Sequence, residues 1–300
     1  MFLEVIMERL MLNLTYIAKL ATKWTGAVFA FVGVVSTFAS LSDLFDPQMS
    51  PFRKLLISAS ILAGVWIVSF AICAFHVLRK RRIEVLELNS GHHVYVQYGD
   101  IFSEEEVLEP NKRRNIVIPV NRCFDTLVDD DLVSSKSLHG IAMNKLYHAQ
   151  TFTQESLNEA IRNNLALQQA QSIHISESQK RKGNLVRYRV GSVAEIIASE
   201  KCTYFFLGLT VFDENLKASV SNVSYVAALM RLLEFCNTRS QGFPVVIPLI
   251  GGGMARTGKS ERDILKYMIC FLNLYKDLLN CDIHIVVRDS GKGSIAITNL

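Results

Sequence analysis

Two stretches of this chain carry no charged side chain, Trp24–Ser42 and Leu55–Leu78, and no other feature of the sequence restricts its folding as severely. At 1.5 Å rise per residue, each as a helix comes close to the ~30 Å of a bilayer hydrocarbon core. The second stops at Arg79-Lys80-Arg81-Arg82. Basic clusters of this kind stay cytoplasmic under the positive-inside rule, and Lys19 and Lys23 place the N-terminus on the same side. Asp43–Lys54, with Pro47 and Pro51, then reads as a short external turn. The sequence thus predicts a membrane region over residues 1–82 with spans at about 24–42 and 55–78, multi-pass, both termini cytoplasmic. His76 is the only ionisable group inside either span, and its place one turn from the cytoplasmic end predicts an interfacial position. Gly26, Ala30 and Gly33, and Ser58, Ser60, Ala63 and Gly64, suit close helix approach and self-association.

Residues 1–23 admit two readings. Glu4, Glu8, Thr15 and Lys19 recur at roughly helical spacing, with Phe2, Ile6, Leu10, Leu14 and Ile17 elsewhere around the axis. The pattern suits an amphipathic helix on the membrane surface, and equally a helical extension of the first span. The start is not basic and the apolar run begins late, so a signal peptide is a poor fit.

The formal charge of +4 divides unevenly. Residues 1–82 hold nine Lys or Arg and four acids; the remainder holds 23 and 24. The basic excess therefore belongs to the membrane portion, where it faces anionic lipid. Residues 83–300 show no electrostatic footprint for nucleic acid. Cys73, Cys123, Cys202, Cys236, Cys270 and Cys281 lack the clustered spacing of a zinc site. Free, buried thiols in a reducing compartment are expected.

After Arg82 the pattern becomes short β-type runs alternating with helical ones. Strands are predicted at 83–88, 93–97, 115–120, 204–211, 243–250 and 282–287, helices at 153–171, 223–237 and 261–279, and a charged loop at 179–184. Buried strands alternating with helices give an α/β class, a mixed sheet with helices on both faces. Ligands bind such sheets at the carboxyl ends of the strands. Three loops there are unusual: Tyr98-Gly99-Asp100-Ile101, Arg189-Val190-Gly191-Ser192 and Gly251-Gly252-Gly253-Met254-Ala255-Arg256. Glycines between a strand and a helix N-terminus form a phosphate cradle, and an Asp just after a strand accepts from an exocyclic amine such as that of adenine.

The order of these motifs resembles the macro domain, the ADP-ribose-binding fold. The residues that carry the resemblance are Gly99-Asp100-Ile101, a strand ending at Val120-Asn121, Gly191-Ser192-Val193-Ala194, and Pro248-Leu249-Ile250-Gly251-Gly252-Gly253, over roughly residues 83–300. The resemblance implies a macro-domain-like sheet preceded by a two-helix transmembrane hairpin. It assigns adenine to Asp100 and the Ile101 backbone and the diphosphate to Gly251, Gly252, Gly253 and Met254, with Pro248 leading in and Gly191 in the middle loop. Arg256, in the phosphate loop, suits a bidentate contact with the diphosphate and equally an exposed position in solvent. The family continues Asn121 as V-N-A-A-N and a glycine run around the distal ribose. Here the chain reads Asn121-Arg122-Cys123-Phe124-Asp125, then Ser137-Leu138-His139-Gly140. That departure implies binding without hydrolysis, no catalytic residues and no cofactor. Two spans before such a domain resemble the membrane effectors of bacterial Thoeris anti-phage systems. The resemblance implies the inner (plasma) membrane, a signal derived from ADP-ribose (histidine-ADP-ribose for the membrane-anchored type), a partner TIR-domain NADase that makes it, homo-oligomers, and cell killing by membrane disruption.

A membrane-anchored enzyme is the alternative, either an ADP-ribosyl hydrolase or an NTPase. Gly253–Ser260 is a literal GxxxxGKS after a predicted strand and before a predicted helix, with Lys259 and Ser260 in the nucleotide-binding positions. Only a short tail follows Ser260, too little for the rest of a P-loop sheet. His92-His93, Asp129-Asp130-Asp131, and Phe124 with Tyr188 are expected to be surface, solvated loop and core, respectively.

Overall fold

In a computed structural model, residues 2–36, 49–109, 112–252 and 258–299 are described. Residues 37–42 of the expected first span and 43–48 of the expected turn lie outside them. The chain forms two compact units, Met1–Arg81 with Lys292–Leu300, and Arg82–Gly291.

The first unit is built on α1 (Phe2–Ser36) and α2 (Pro51–Arg79). No proline or glycine interrupts residues 2–25, and the segment 2–23 is continuous in one helix with the described part of the expected first span. At α2 the Ser50 hydroxyl accepts from Arg53 N, and Pro51 occupies the first turn, where its missing N–H costs nothing. Both helices are long and apolar enough to cross a membrane. They touch through the buried Ile17, Ala21, Cys73 and Val77, and Trp66 Nε1 donates to Thr22 Oγ1 at 3.1 Å. Elsewhere large apolar side chains face outward: Phe31 is 70% exposed and Phe52 68%. That surface suits lipid rather than water. The C-terminal residues group with these helices rather than with the sheet. Thr298 Oγ1 donates to Asn13 Oδ1 at 2.6 Å, and the Glu8 carboxylate lies where a Cβ on Gly293 would stand.

The second unit is a mixed sheet of eight strands. In chain order these are β1 (Arg82–Glu87), β2 (His93–Gly99), β3 (Arg114–Asn121), β6 (Val193–Ser199), β7 (Cys202–Phe212), β8 (Ala218–Ser219), β9 (Val245–Pro248) and β10 (Ile283–Arg288), while β4 (Ser172–His174) and β5 (Val186–Tyr188) form a separate hairpin. The order is β1-β2-β10-β9-β3-β7-β6, with β8 paired to β7. β2, β10, β9, β3 and β7 are parallel; β1, β6 and β8 pair antiparallel at the margins. The helices are α3 (Leu138–His148), α4 (Gln154–Leu167), α5 (Asn222–Arg239) and α6 (Glu261–Leu274). Phe206 packs with Met143, Leu146 and Ile161 of α3 and α4, while its neighbour Phe205 meets Phe235 of α5 edge-on at 5.1 Å. Successive strand residues point to opposite faces, so helices cover both.

The predicted strands and helices are present, several of them shorter. The strand predicted at 243–250 narrows to Val245–Pro248, and the helix predicted at 261–279 ends at Leu274. Two segments read as loops are regular: Leu138-His139-Gly140 opens α3, and Val193-Ala194 begins β6.

Candidate functional site

The parallel strands β2, β10, β9 and β3 end side by side at Gly99, Arg288, Pro248 and Asn121, and a cleft opens beyond them. It has two lobes. A smaller lobe of about 360 Å³ is lined by Asp100, Ile101, Phe102, Lys145 and Pro248, among others. A larger lobe of about 630 Å³ is lined by Asn121, Ser137, His139, Gly251, Phe212 at the end of β7, and Leu216 and Lys217 of the β7–β8 turn. Leu138, Leu249, Gly252 and Arg288 border both, so the lobes meet over the glycine loop.

At the small lobe, Asp100 is exposed, and its Oδ1 accepts from Phe102 N at 3.1 Å, which sets the side chain at the cleft mouth. Ile101 is buried beneath it. Phe102 lies edge-on to Tyr204, with the Lys145 ammonium 5.1 Å from its ring centroid. At the junction, Tyr225 of α5 donates its hydroxyl to Ile250 O at 2.8 Å and anchors the entry to the glycine loop. Gly251 has φ +94, a conformation that favours glycine. Arg288 has no ion-pair partner among the described residues.

At the large lobe, Ser137 caps α3: its Oγ accepts from Gly140 N at 3.0 Å and donates to Ser134 O at 2.7 Å. The first N–H groups of α3 belong to Leu138 and His139, which line the cleft. A helix start is an anion site by geometry and dipole. Imidazole Nε2 of His139 donates to Asp125 O at 2.8 Å, which leaves Nδ1 as an acceptor. Burial pushes this histidine down to about 4, so it is neutral at physiological pH.

The wall behind His139 is held by a buried ion pair. Lys180 Nζ lies 2.9 Å from Asp125 Oδ1 and 2.7 Å from Oδ2, both residues being almost wholly enclosed. Burial pushes the Asp125 carboxyl up, while Lys180 and the Asn184 N–H pull against it. Outside, Lys182 pairs with Asp129 and Asp131, and Arg181 with Asp131. The expected charged loop 179–184 is therefore a latch rather than a solvated excursion.

Of the residues expected at a ligand, Asp100, Ile101, Asn121, Ser137, Leu138, His139, Pro248, Gly251 and Gly252 line this cleft. Gly191 does not. Its φ is +79 and a Cβ there would stand 2.8 Å from Arg231 Cδ, so it is a packing glycine against α5. Gly140 supports from behind: a Cβ would stand 2.2 Å from Ser134 O. Gly253, Met254 and Arg256 lie outside the described residues. Lys259 and Ser260 are not brought to the cleft. Lys259 lies over the Tyr267 ring at 5.2 Å, and Ser260 caps α6 by accepting from Asp263 N. Phe124 and Tyr188 pack edge-on at 5.5 Å, Phe124 within the core. The sequence reading missed Arg288 and Glu106. Arg288 was legible as the polar residue ending the last buried strand. Glu106, fully buried two residues after Glu104, carried no signal because acidic runs are usually solvated.

A mixed sheet with helices on both faces, and a strand-end cleft bordered by a glycine loop and a helix N-terminus, define a macro-type nucleotide-binding fold. Residues 94–288 match the family described as Thoeris protein ThsA, Macro domain. The chain is also 30% identical over 230 residues to the Thoeris protein ThsA of Bacillus amyloliquefaciens (strain Y2), covering 76% of this chain and 68% of that protein. The chain belongs to the Thoeris ThsA macro-domain family.

Proposed function

We propose that this protein is an anti-phage defence effector. Its macro domain binds an ADP-ribose-derived signal, histidine-ADP-ribose being the expected form, made by a partner TIR-domain NADase. Its helical hairpin, seated in the bacterial inner membrane with both termini cytoplasmic, then disrupts that membrane, with homo-oligomers as the acting species. The observation that carries this reading is the cleft itself. The Asp100 carboxylate stands at one end, an acceptor of the kind an exocyclic amine needs. Gly251, Gly252, Arg288 and the start of α3 converge between the lobes, where a diphosphate would bind. The second lobe is the larger, which suits a ligand extended beyond the distal ribose.

Binding without turnover is favoured by the chemistry of that lobe. His139 keeps only Nδ1 as an acceptor, and burial, which lowers it to about 4, makes that nitrogen a weak base. Asp129 and Asp131 are committed to Lys182 and Arg181, and Asp130 accepts from Ser135. A general base needs a free carboxylate or imidazole within reach of the proton it removes.

The test is thermal unfolding of the full chain in detergent with ADP-ribose, histidine-ADP-ribose or magnesium ATP. A ligand at a hundredfold excess over Kd stabilises the native state by about 2.7 kcal/mol. Stabilisation by the ADP-ribose compounds, insensitive to EDTA and without loss of ligand, is expected. Stabilisation by ATP alone and abolished by EDTA, or steady product release from an ADP-ribosylated protein, would overturn the reading.

A further inference from the structure

The glycine of the Gly99-Asp100-Ile101 motif has a structural cause. A Cβ at Gly99 would stand 2.0 Å from Glu106 Oε1, so the position is small because the Glu106 carboxylate occupies the space. That carboxylate is completely enclosed. Its Oε1 accepts from Asp100 N at 3.1 Å, and its Oε2 accepts from Gln97 Nε2. Gln97 also donates to Glu106 O at 2.7 Å.

The other end of the Gln97 amide looks away from the cleft. Its Oε1 accepts from Arg82 Nε at 2.6 Å and faces His284 Nδ1 at 3.2 Å. Arg82 only donates, which fixes the amide: oxygen toward Arg82, nitrogen toward Glu106. Both ends of the Gln97 side chain are thus fully used. Arg82 adds a direct bond, Nη2 to Glu105 O at 2.9 Å, and is the cross-strand partner of Gln97 in the β1–β2 ladder. It is also the first residue of the second unit, three positions after the end of α2 at Arg79.

We propose that Glu106 is the positioning residue of the Asp100 end of the cleft, and that through Gln97 it ties this loop to Arg82, so that filling the cleft is felt where the chain emerges from α2. The chemistry explains why a carboxylate is needed. It accepts from two donors at once, Asp100 N and Gln97 Nε2, whereas an amide offers one acceptor oxygen and turns an N–H against a donor. Coupling of this kind is reciprocal: loosening either end loosens the other. The proposal rests on the ligand reading of the cleft but reaches beyond it, to the residues that carry the signal out.

The experiment is peptide-resolved hydrogen exchange on the full chain in detergent, with ADP-ribose as the probe. Without ligand, Arg82→Met should speed exchange over residues 99–106 by roughly tenfold, the loss of one or two hydrogen bonds. The isosteric Glu106→Gln should speed exchange over 99–106 and also over 82–87. Unchanged exchange over 115–120 in both variants is the check that the sheet is intact. In the wild type, ADP-ribose should slow exchange over 82–87 as well as 99–106; in Arg82→Met it should still bind by calorimetry but leave 82–87 unaffected. Wild-type rates over 99–106 in Arg82→Met, or ligand protection that stops at residue 106, would overturn the proposal. Failure of ADP-ribose to bind would instead count against the ligand reading, and the ligand-free comparison would still decide whether the link exists.

Discussion

Asp100 stands at the cleft mouth because its backbone is held from behind by Glu106 and its side chain is turned by Phe102 N. Asp100→Ala should weaken ADP-ribose binding by about 1–3 kcal/mol in calorimetry, the cost of an unmet polar group in the bound state. Gly252 gives a cleaner probe of the diphosphate. A Cβ there lies 3.4 Å from Leu249 O, ordinary contact, so the fold tolerates a side chain that the ligand would not. Gly252→Val should abolish binding with little change in thermal midpoint, while Lys259→Ala should leave binding intact. Loss of binding in Lys259→Ala but not in Gly252→Val would return the P-loop reading. Acid is the other residue-scale lever. Burial lowers His139 and His284 to about 4 from an ordinary value near 6.5. Between those values the unfolded chain binds more protons, so stability is full above about pH 6.5 and is lost as pH falls toward 4. Each histidine should cost about 2 kcal/mol at pH 5 relative to pH 7. His139→Gln should flatten the fall of the thermal midpoint over that range; an unchanged slope would mean that His139 is not buried neutral.

At the scale of elements, the large lobe depends on one buried pair. Asp125 and Lys180 join the segment leading from β3 to the loop between β4 and β5, and Asn184 N adds a bond to Asp125 Oδ1 at 2.7 Å. Removing one partner strands a charge, so Lys180→Met should destabilise by about 3–5 kcal/mol in denaturant titration. Removing both charges, Asp125→Asn with Lys180→Met, should recover most of that loss. A cost below about 1 kcal/mol for Lys180→Met would mean the latch does not hold the wall. This element also marks where sequence reasoning stopped. The strands at 115–120, 204–211 and 282–287 were legible because apolar runs admit few other structures, while Asp100, Asn121 and Pro248 were located by the ends of the strands now seen as β2, β3 and β9. The loop 179–184 was read only as a charged loop because Lys180, Arg181 and Lys182 are alike in sequence; only the tertiary partner distinguishes the buried Lys180 from its more exposed neighbours. Similarly, α3 was missed because its first turn, Leu138-His139-Gly140, holds a glycine, a weak helix former, which the close approach of Ser134 O requires here. Gly191 was misplaced because positive φ for packing and positive φ for ligand approach leave the same letter.

For the whole molecule, the proposed function depends on how the cleft and the apolar helices communicate, and the chain joins the two units twice. One connection is Arg81–Arg82, beside the Glu106–Gln97–Arg82 link. The other is Gly291–Lys292, just past Arg288 and Asp289 of the cleft, after which the tail binds α1 through Thr298 and Asn13. That contact holds the C-terminal residues against the N-terminal half of α1. Cys270, the exposed native thiol, is a built-in reporter of topology. An impermeant maleimide on intact cells should label Ser50→Cys and spare Cys270; the opposite pattern would remove the cytosolic-sensor reading. The double connection then decides how the two parts can be uncoupled. A Gly/Ser insert of about twenty residues after Arg81 spans some 25 Å on random-coil statistics, enough to slacken the first connection. The second would still tie the cleft to α1, so the insert alone should reduce toxicity in cells making the signal only in part. Deleting residues 292–300 leaves Arg288 and Asp289 in place, so ligand binding should survive in either variant and in both combined. Toxicity should fall furthest in the combined variant, because a ligand shifts the hairpin only by its differential affinity for two coupled arrangements. If the combined variant binds ligand and kills as well as the wild type, the coupling is not carried by the chain connections, and ligand-driven clustering of the macro domains is sufficient to act on the membrane.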